Sequence, residues 1–135
     1  MRSKQALTFA DVKKIAAAAE AEALANKWAV TIAIVDDGGN LLSLQRLDGA
    51  APVSASIAPS KARTAALGQR ETKIYEDVIN NGRYSFLSAP NIDGLLEGGV
   101  PIMAGGDCVG ADVKKIAAAA EAEALANKWA DDCDR

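Results

Sequence analysis

The 135-residue chain contains no histidine and only two cysteines, which restricts the chemistry open to it. Without histidine, Cys108 and Cys133 cannot complete an ordinary zinc site, and two cysteines do not form a disulfide framework. We interpret both as reduced thiols and expect no bound metal ion. The sequence also lacks a nucleophile elbow, a phosphate-binding loop and a dinucleotide-binding fingerprint. These absences remove the best-known signatures of hydrolases, nucleotide-binding proteins and dehydrogenases.

Aromatic residues and clustered positive charge are also scarce. Aromatic residues make up 4% of the chain, and its net charge is −3. Proteins that bind nucleic acids typically combine a basic patch with aromatic side chains for base stacking, so we expect no nucleic-acid partner. No export signal is evident, and no run of about 18 apolar residues could span a bilayer. We therefore expect a cytoplasmic protein without a membrane partner.

The segment ADVKKIAAAAEAEALANKWA occurs twice without a single difference, at residues 10–29 and 111–130. Chance does not produce such a copy, which indicates a recent or artificial origin for the second one. The length of the chain suits one domain, residues 1–135, with one hydrophobic core. Much of the apolar content is alanine, which predicts closely packed elements around a thin core.

The first copy has the pattern of an amphipathic helix. Thr8, three residues before Asp11, resembles a capping box and predicts a helix that starts near Phe9. Asn26 and Lys27 are expected to end it. The apolar stripe expected to face the core comprises Val12, Ile15, Ala16, Ala19 and Ala23.

A β-hairpin is predicted next, from Val30–Val35, the turn DDGGN and Leu41–Leu47. On its second strand, Leu42, Leu44 and Arg46 are expected to share one face. Leu41, Ser43 and Gln45 are expected on the other.

Two helices and a second hairpin are predicted to follow. Pro59 suits only a first helical turn, so the first of these helices is expected from about Ala58 to Leu67. ETKIYEDVINNG predicts the second, with Ile74 and Val78 facing inward and Tyr75 as a third candidate for that face. Val100–Ala104 and Cys108–Ala111 predict the hairpin, joined through a glycine turn. This order, with a final helix in the second copy, favours an α+β domain.

Four motifs in this order resemble the GlcG/HbpS-like family, also known as haem-degrading proteins and as the C-terminal domain of PduO-type proteins. They are LTFADVKKIAAAAEAEA, VTIAIVDDGGNLLSLQRLDGA, SKARTAA and LLEGGVPIMAGGDCVGA, and the resemblance covers about residues 7–111. It implies a profilin-like antiparallel sheet flanked by helices, a homo-oligomer and, in some members, haem or another tetrapyrrole as ligand. The chain departs from the family after Ala111, where the copied helix is expected to begin and the last strand to end.

Six residues are candidates for a small-molecule site. Lys61 and Thr64 lie three apart on a predicted helix and so share a face, with Arg63 turned away; a cation and a hydroxyl together suit a carboxylate or a haem propionate. Gly98 and Gly99 would let a ligand approach the backbone, and these four residues are expected to border any cleft. Asp36 is a further ligand candidate, although Asp before Gly-Gly is also ordinary turn chemistry. Arg46 is the last candidate, and it could equally pair with Asp48.

The lack of histidine removes the commonest axial ligand of haem iron. The possible substitutes are Tyr75, Tyr84, Met103 and Cys108, each of which also suits a packing role. The sequence therefore leaves three hypotheses open: a tetrapyrrole-binding accessory protein, an enzyme that acts on a small carboxylate or hydroxy acid around Lys61, Thr64 and Arg46, and a rearranged scaffold that has lost its ligand.

Overall fold

A computed structural model describes residues 1–113 of the chain. Its elements are α1 (Phe9–Ala25), β1 (Thr31–Asp36), β2 (Leu41–Arg46), α2 (Ser54–Gly68), α3 (Thr72–Asn80), a short 3₁₀ helix (Tyr84–Ser88), β3 (Gly99–Ala104) and β4 (Asp107–Val113). The predicted order of helix, hairpin, two helices and hairpin is confirmed over this range. The helix predicted for the second copy and Cys133 lie outside the described residues.

The two hairpins form one antiparallel sheet with the strand order β2-β1-β4-β3. The β1–β4 pairing joins the two hairpins, with Val35 opposite Ala111 and Asp36 opposite Gly110. Pro101 lies on β3, which is an edge strand. Proline has no N–H to donate, and it is tolerated at an edge because a central strand would lose a hydrogen bond there. A four-stranded antiparallel sheet flanked by helices confirms the predicted α+β class.

Helix α1 begins and packs as its sequence predicts. Thr8 Oγ1 accepts a hydrogen bond from Asp11 N at 3.1 Å, and the Asp11 carboxylate accepts one from Thr8 N at 2.9 Å. Asn26 caps the other end. All five residues of the predicted stripe are buried: Val12, Ile15, Ala16, Ala19 and Ala23.

Strand β1 is buried on both faces and separates two clusters of apolar side chains. Ile32 and Ile34 face α1, together with Ile102 and Val109. Ala33 and Val35 lie in the second cluster, which is otherwise made only of alanines. Its alanines outside β1 are Ala58, Ala62, Ala65 and Ala66 of α2 and Ala111 of β4. Because these side chains end at Cβ, α2 lies close to the sheet.

Helix α2 starts earlier than predicted. It begins at Ser54, so Pro59 lies inside the helix and not in its first turn. The first backbone hydrogen bonds of α2 are of the 3₁₀ type, from each N–H to the carbonyl three residues earlier, as from Ser56 N to Val53 O at 3.0 Å. The hydroxyls of Thr31 and Ser54 lie 2.6 Å apart and tie this end to β1. These contacts, with the burial of α2 against the sheet, offset the backbone hydrogen bond that Pro59 cannot donate.

The buried face of α3 matches the prediction at Tyr75 but not at Ile74. Thr72 and Tyr75 are buried, whereas Ile74 is 44% exposed. Val78 is only partly buried. The prediction that Ile74 faces inward was wrong because the buried face is set by Thr72, whose hydroxyl bonds to Gly99, and not by the largest aliphatic residue.

A β-bulge changes the faces of β2. Ala33 pairs with Leu44 and Ile34 with Ser43, but Val35 pairs with Leu41, so Leu42 is the additional residue. Leu41 and Leu44 therefore share the face that packs against α2. The prediction that Leu41 lies opposite Leu44 was wrong because strict alternation ignores the bulge.

The second copy begins as a strand. Residues 111–113 belong to β4, with Ala111 opposite Pro101 and Asp112 opposite Val100. The same three residue types at positions 10–12 are helical in α1. Ala111 was predicted to belong to this strand, which is confirmed, but the prediction that the strand ends there and the copied helix follows was wrong for Asp112 and Val113. Pairing with β3 continues through Val113, opposite Gly99.

Among residues 1–113, none of the helices is both long and apolar enough to cross a bilayer.

The capping box of α1 can be tested by replacing Thr8. Thr8→Ala removes the acceptor of the Asp11 N–H, and we expect a loss of about 1 kcal/mol in the free energy of unfolding. Thr8→Ser keeps a hydroxyl at the same position and should change it by less than about 0.5 kcal/mol. Urea unfolding of the two variants and the parent provides the measurement. Equal stability of Thr8→Ala and the parent would contradict this role of the cap.

Candidate functional site

Four of the six candidate residues lie along a seam between α2 and the loop that leads into β3. The α2 seam consists of Lys61, Thr64, Thr72, Gly94, Glu97, Gly98 and Gly99. The Lys61 ammonium donates a hydrogen bond to the carbonyl of Glu97 at 3.2 Å. The predicted neighbours Lys61, Thr64, Gly98 and Gly99 are thus brought together, although their role as a ligand site stays a prediction.

Threonine hydroxyls hold the seam closed. Thr64 Oγ1 donates to Ser60 O at 2.9 Å and accepts from Gly94 N at 3.0 Å. Thr72 Oγ1 accepts from Gly99 N at 2.8 Å. Thr64 and Thr72 both have no exposed surface. In this conformation Thr64 therefore fastens the loop, and its hydroxyl does not face solvent.

The glycines of the seam permit a close approach and not an open cleft. A Cβ at Gly99 would lie 2.4 Å from the carbonyl oxygen of Lys61, and one at Gly94 would lie 2.3 Å from that of Ser60. Gly98 has a φ of +130° and lies against the Lys61 ammonium. The space that these glycines leave is already filled by α2.

Lys61 carries the main electrostatic feature of the seam. Its partial burial lowers the pKa of the ammonium from the ordinary value of 10.5, while the carboxylates of Glu76 and Glu97 act in the opposite direction. Burial has the larger effect because removing an ammonium from water disfavours its charged form. Lys61 is thus a partly dehydrated amine at the loop's edge.

Asp36 organises the turn between β1 and β2. One carboxylate oxygen, Oδ1, accepts hydrogen bonds from Gly38 N and Asn40 N, both at 2.9 Å. The other, Oδ2, accepts one from the Asn40 side chain at 3.3 Å. This geometry matches the turn chemistry of Asp before glycine. Any contact of Asp36 with a ligand stays a prediction.

Arg46 lies apart from the seam, at the last position of β2. It pairs with Thr31 at the far end of the β1–β2 hairpin from its turn. A depression there is bordered by Arg46, Asp48, Glu20 and Trp28. No ion pair forms between Arg46 and Asp48, both of which are described. Arg46 does not share a site with Lys61 and Thr64.

A separate cleft lies between the β1–β2 turn, α2 and the loop that follows the 3₁₀ helix. Arg63 borders this cleft together with Gly39, Leu41 and Asn91, and its volume is about 380 Å³. Arg63 is only partly buried. We expected Arg63 to turn away from Lys61, and it does so into this cleft and not into open solvent.

The alternative iron ligands are placed differently from one another. Cys108 is buried, its Sγ is 3.8 Å from Ala66 O, and burial raises the pKa of its thiol from the ordinary value of 9.0. Tyr75 is also buried, whereas Tyr84 and Met103 are exposed. In the described part of the chain, no group of three or more His, Cys, Asp or Glu residues is arranged to hold a metal ion.

Sequence reasoning missed Thr72 and the Arg63 cleft. Thr72 opens a predicted helix and reads as a cap, yet its hydroxyl bonds across 27 residues to Gly99. Arg63 resembles a solvated side chain in the sequence because the loop that borders the same cleft, 89–93, is distant in sequence. Arg63 lies four residues after Pro59, which lines the same cleft. Residues four apart share a helix face, and this spacing could have placed the two side chains together.

The close packing of Gly99 can be tested by adding one methyl group. Gly99→Ala would place a Cβ against the Lys61 carbonyl and the Thr72 side chain, and we expect a loss of about 1 to 3 kcal/mol in the free energy of unfolding. Gly105→Asn is the control, because no atom lies within 4 Å of a Cβ there and its φ of +59° suits asparagine. The control should change stability by less than about 0.5 kcal/mol. Chemical denaturation measures both, and a Gly99→Ala variant as stable as the control would contradict the tight seam.

The electrostatic state of Lys61 predicts a pH effect. Because its pKa is lower in the folded protein than the ordinary 10.5, the unfolded chain binds this proton more tightly. The contribution of Lys61 to stability therefore rises with pH from its folded pKa up to 10.5. NMR titration of ¹³C-methylated lysines should give Lys61 a midpoint below 10.5. Lys73, whose pKa is raised by its hydrogen bond to Asp77, should titrate above 10.5 as an internal control. A Lys61 midpoint at or above that of Lys73 would refute the dehydrated state.

Comparison with known proteins covers most of the chain. Protein GlcG of Escherichia coli strain K12 is 50% identical over 111 residues, which span 82% of both chains. The crystal structure of Klebsiella pneumoniae protein ORFY has a TM-score of 0.85 and 26% identity, and the match covers 93% of this chain and 95% of ORFY. The PduOC:heme complex has a TM-score of 0.77 and 28% identity, over 87% of this chain and 94% of PduOC.

The family model for the haem degrading protein HbpS-like family matches residues 7–113. This range coincides with the four motifs and with the described sheet and helices. Together with the 50% identity to GlcG, the match identifies the family. The chain belongs to the HbpS-like family of haem degrading proteins.

Proposed function

We propose that this protein is a small accessory protein that binds haem or a related tetrapyrrole. The observation that carries the proposal is the similarity along most of the chain to PduOC, which was solved in complex with haem. The family's description as haem degrading supports the same ligand class. The protein's own surface must then offer an apolar area for the macrocycle.

Three exposed leucines supply such an area. The leucine patch consists of Leu41, Leu44 and Leu67, which are 51%, 41% and 37% exposed. Leu41 and Leu44 share the α2 face of β2, and the Leu67 side chain lies 3.5 Å from the position of a Cβ at Gly39, in the β1–β2 turn. Apolar side chains grouped in water mark a binding surface more often than scattered ones do.

The residues present fit the macrocycle better than a histidine-ligated iron. The chain has no histidine, and Cys108 and Tyr75 are buried. Exposed Met103 and Tyr84 are the remaining candidates among the substitutes that the sequence suggested. Bound haem would supply iron-based redox chemistry. The leucine patch would hold its apolar face and exclude water from it.

Assembly into a homo-oligomer belongs to the same proposal. Strand β2 is an edge of the sheet and carries two leucines of the patch. Edge strands and apolar patches are both common contact surfaces between chains. A second copy, or the ligand between two copies, would cover surface that one chain leaves in water.

Haemin titration with a matched pair of leucine variants tests the proposal. We expect the Soret band to shift and to saturate near one haemin per chain. Leu67→Gln should weaken binding about fivefold, because about 1 kcal/mol of apolar contact is lost. Leu24→Gln is the control. Leu24 is also an exposed leucine on a helix, with 62% of its surface in water, but it lies on α1 at the other side of the sheet.

The spectra test tetrapyrrole binding, and the control variant tests whether the leucine patch is the binding surface. An unchanged Soret band at saturating haemin would refute tetrapyrrole binding. Equal weakening by Leu67→Gln and Leu24→Gln would remove the leucine patch from the site. Size-exclusion chromatography with light scattering, with and without haemin, tests the oligomer separately.

A further inference from the structure

The Arg63 cleft has features of a small-molecule site that the leucine patch lacks. It is bordered by Val35, Gly39, Leu41, Arg63, Asn91 and Asp93 and has a volume of about 380 Å³, within the usual range for ligand pockets. Val35 and Leu41 belong to its apolar wall, and its polar or charged side chains are Ser60, Arg63, Asn91 and Asp93. Apolar walls with a few convergent polar groups are typical of small-ligand sites.

The Arg63 guanidinium is available for a ligand. Among residues 1–113, neither a hydrogen bond nor an ion pair engages it; the ion pairs found there are Arg2–Asp107, Lys4–Asp37 and Lys73–Asp77. Asp93 borders the same cleft but does not come within ion-pair distance of Arg63. A partly buried guanidinium without a protein partner favours an anion with two acceptor oxygens.

The backbone around the cleft is shaped to hold this arginine. Gly39 has a φ of +78°, and a Cβ there would lie 2.8 Å from Arg63 Cγ. The turn therefore needs glycine both for its conformation and for the passage of the arginine side chain. Opposite it, Asn91 adopts a left-handed conformation with a φ of +65°. Non-glycine residues in uncommon backbone conformations persist only where the surrounding structure holds them, and they are concentrated at binding sites.

We propose that the Arg63 cleft is a carboxylate-binding subsite, with the Arg63 guanidinium as the charge partner. Asn91 and Asp93 lie where they could accept hydrogen bonds from a hydroxyl or amino group of the same ligand. The carboxylate has two possible sources: a propionate of a tetrapyrrole held on the leucine patch, or a free small acid. Leu41 belongs to both the cleft and the patch, so one ligand could reach both. The propionate source rests on the proposed function, whereas the small-acid source does not.

The test compares esterified and free carboxylates on two arginine variants. Haemin, haemin dimethyl ester, lactate and acetate are titrated into the parent, Arg63→Gln and Arg83→Gln. Arg83 is exposed, stacks on Phe86 and does not border the cleft, so its variant has the same charge change. Absorption follows the haemins, and isothermal calorimetry follows the acids. Circular dichroism and thermal unfolding check that both variants remain folded.

If a propionate occupies the cleft, Arg63→Gln weakens haemin binding about tenfold or more, since a charge-assisted bond is lost. Haemin dimethyl ester then binds the parent and Arg63→Gln alike. If a free acid is the ligand, lactate binds the parent and not Arg63→Gln. Arg63→Lys should restore only part of either effect, because a lysine cannot form the two parallel bonds.

Failures of the two proposals give different results. Haemin binding that is equal in the parent and Arg63→Gln, with no Arg63-dependent acid binding, overturns the subsite and leaves tetrapyrrole binding intact. Lactate binding that needs Arg63, without any Soret shift, supports the subsite and refutes tetrapyrrole binding. Equal losses in Arg63→Gln and Arg83→Gln would reflect net charge alone and would also overturn the subsite.

Discussion

Helix α2 lies against the sheet through alanines, and this contact determines where every candidate side chain of the helix points. Ala62 and Ala65 have no exposed surface, and they meet Ala33 and Ala111 of the sheet, which have none either. Since none of these side chains extends beyond Cβ, the helix is held close and cannot rotate without opening the interface. Lys61 and Thr64 are thereby turned toward the loop before β3, and Arg63 toward the β1–β2 turn.

The same constraint explains why one side of α2 is closed and the other open. On the side of Thr64, two glycines let the loop touch the backbone of α2, and the Thr64 hydroxyl bonds to Gly94 of that loop. The Thr72 hydroxyl of α3 holds Gly99 in the same way. On the side of Arg63, a cleft lies between the β1–β2 turn and the loop 89–93. A closed seam partly dehydrates the Lys61 amine, whereas the open cleft leaves the Arg63 guanidinium available to an anion.

Local patterns predicted the elements well and their faces less well. The capping box of Thr8 and Asp11 and the glycine turns depend on neighbouring residues only, so α1 and both hairpins were predictable. The faces of β2 and α3 depend on partners far along the chain: a bulge moves Leu41 to the side of Leu44, and Thr72 turns Ile74 outward. Of the candidate site, the meeting of Lys61, Thr64, Gly98 and Gly99 was predictable from motif order. The cleft at Arg63 was not, because loop 89–93 has no local signal of where it folds.

The duplicated segment separates what sequence alone determined from what tertiary structure decided. Its alanines and its apolar stripe determine a strong helical preference, which α1 realises from its capped start at Thr8. Residues 111–113 repeat residues 10–12, yet they are strand, because Val109 stands where Thr8 stands in the first copy and offers no cap. Their backbone groups pair instead with β3. Intrinsic propensity amounts to a few tenths of a kcal/mol per residue, so the ladder bonds with β3 outweigh it over three residues.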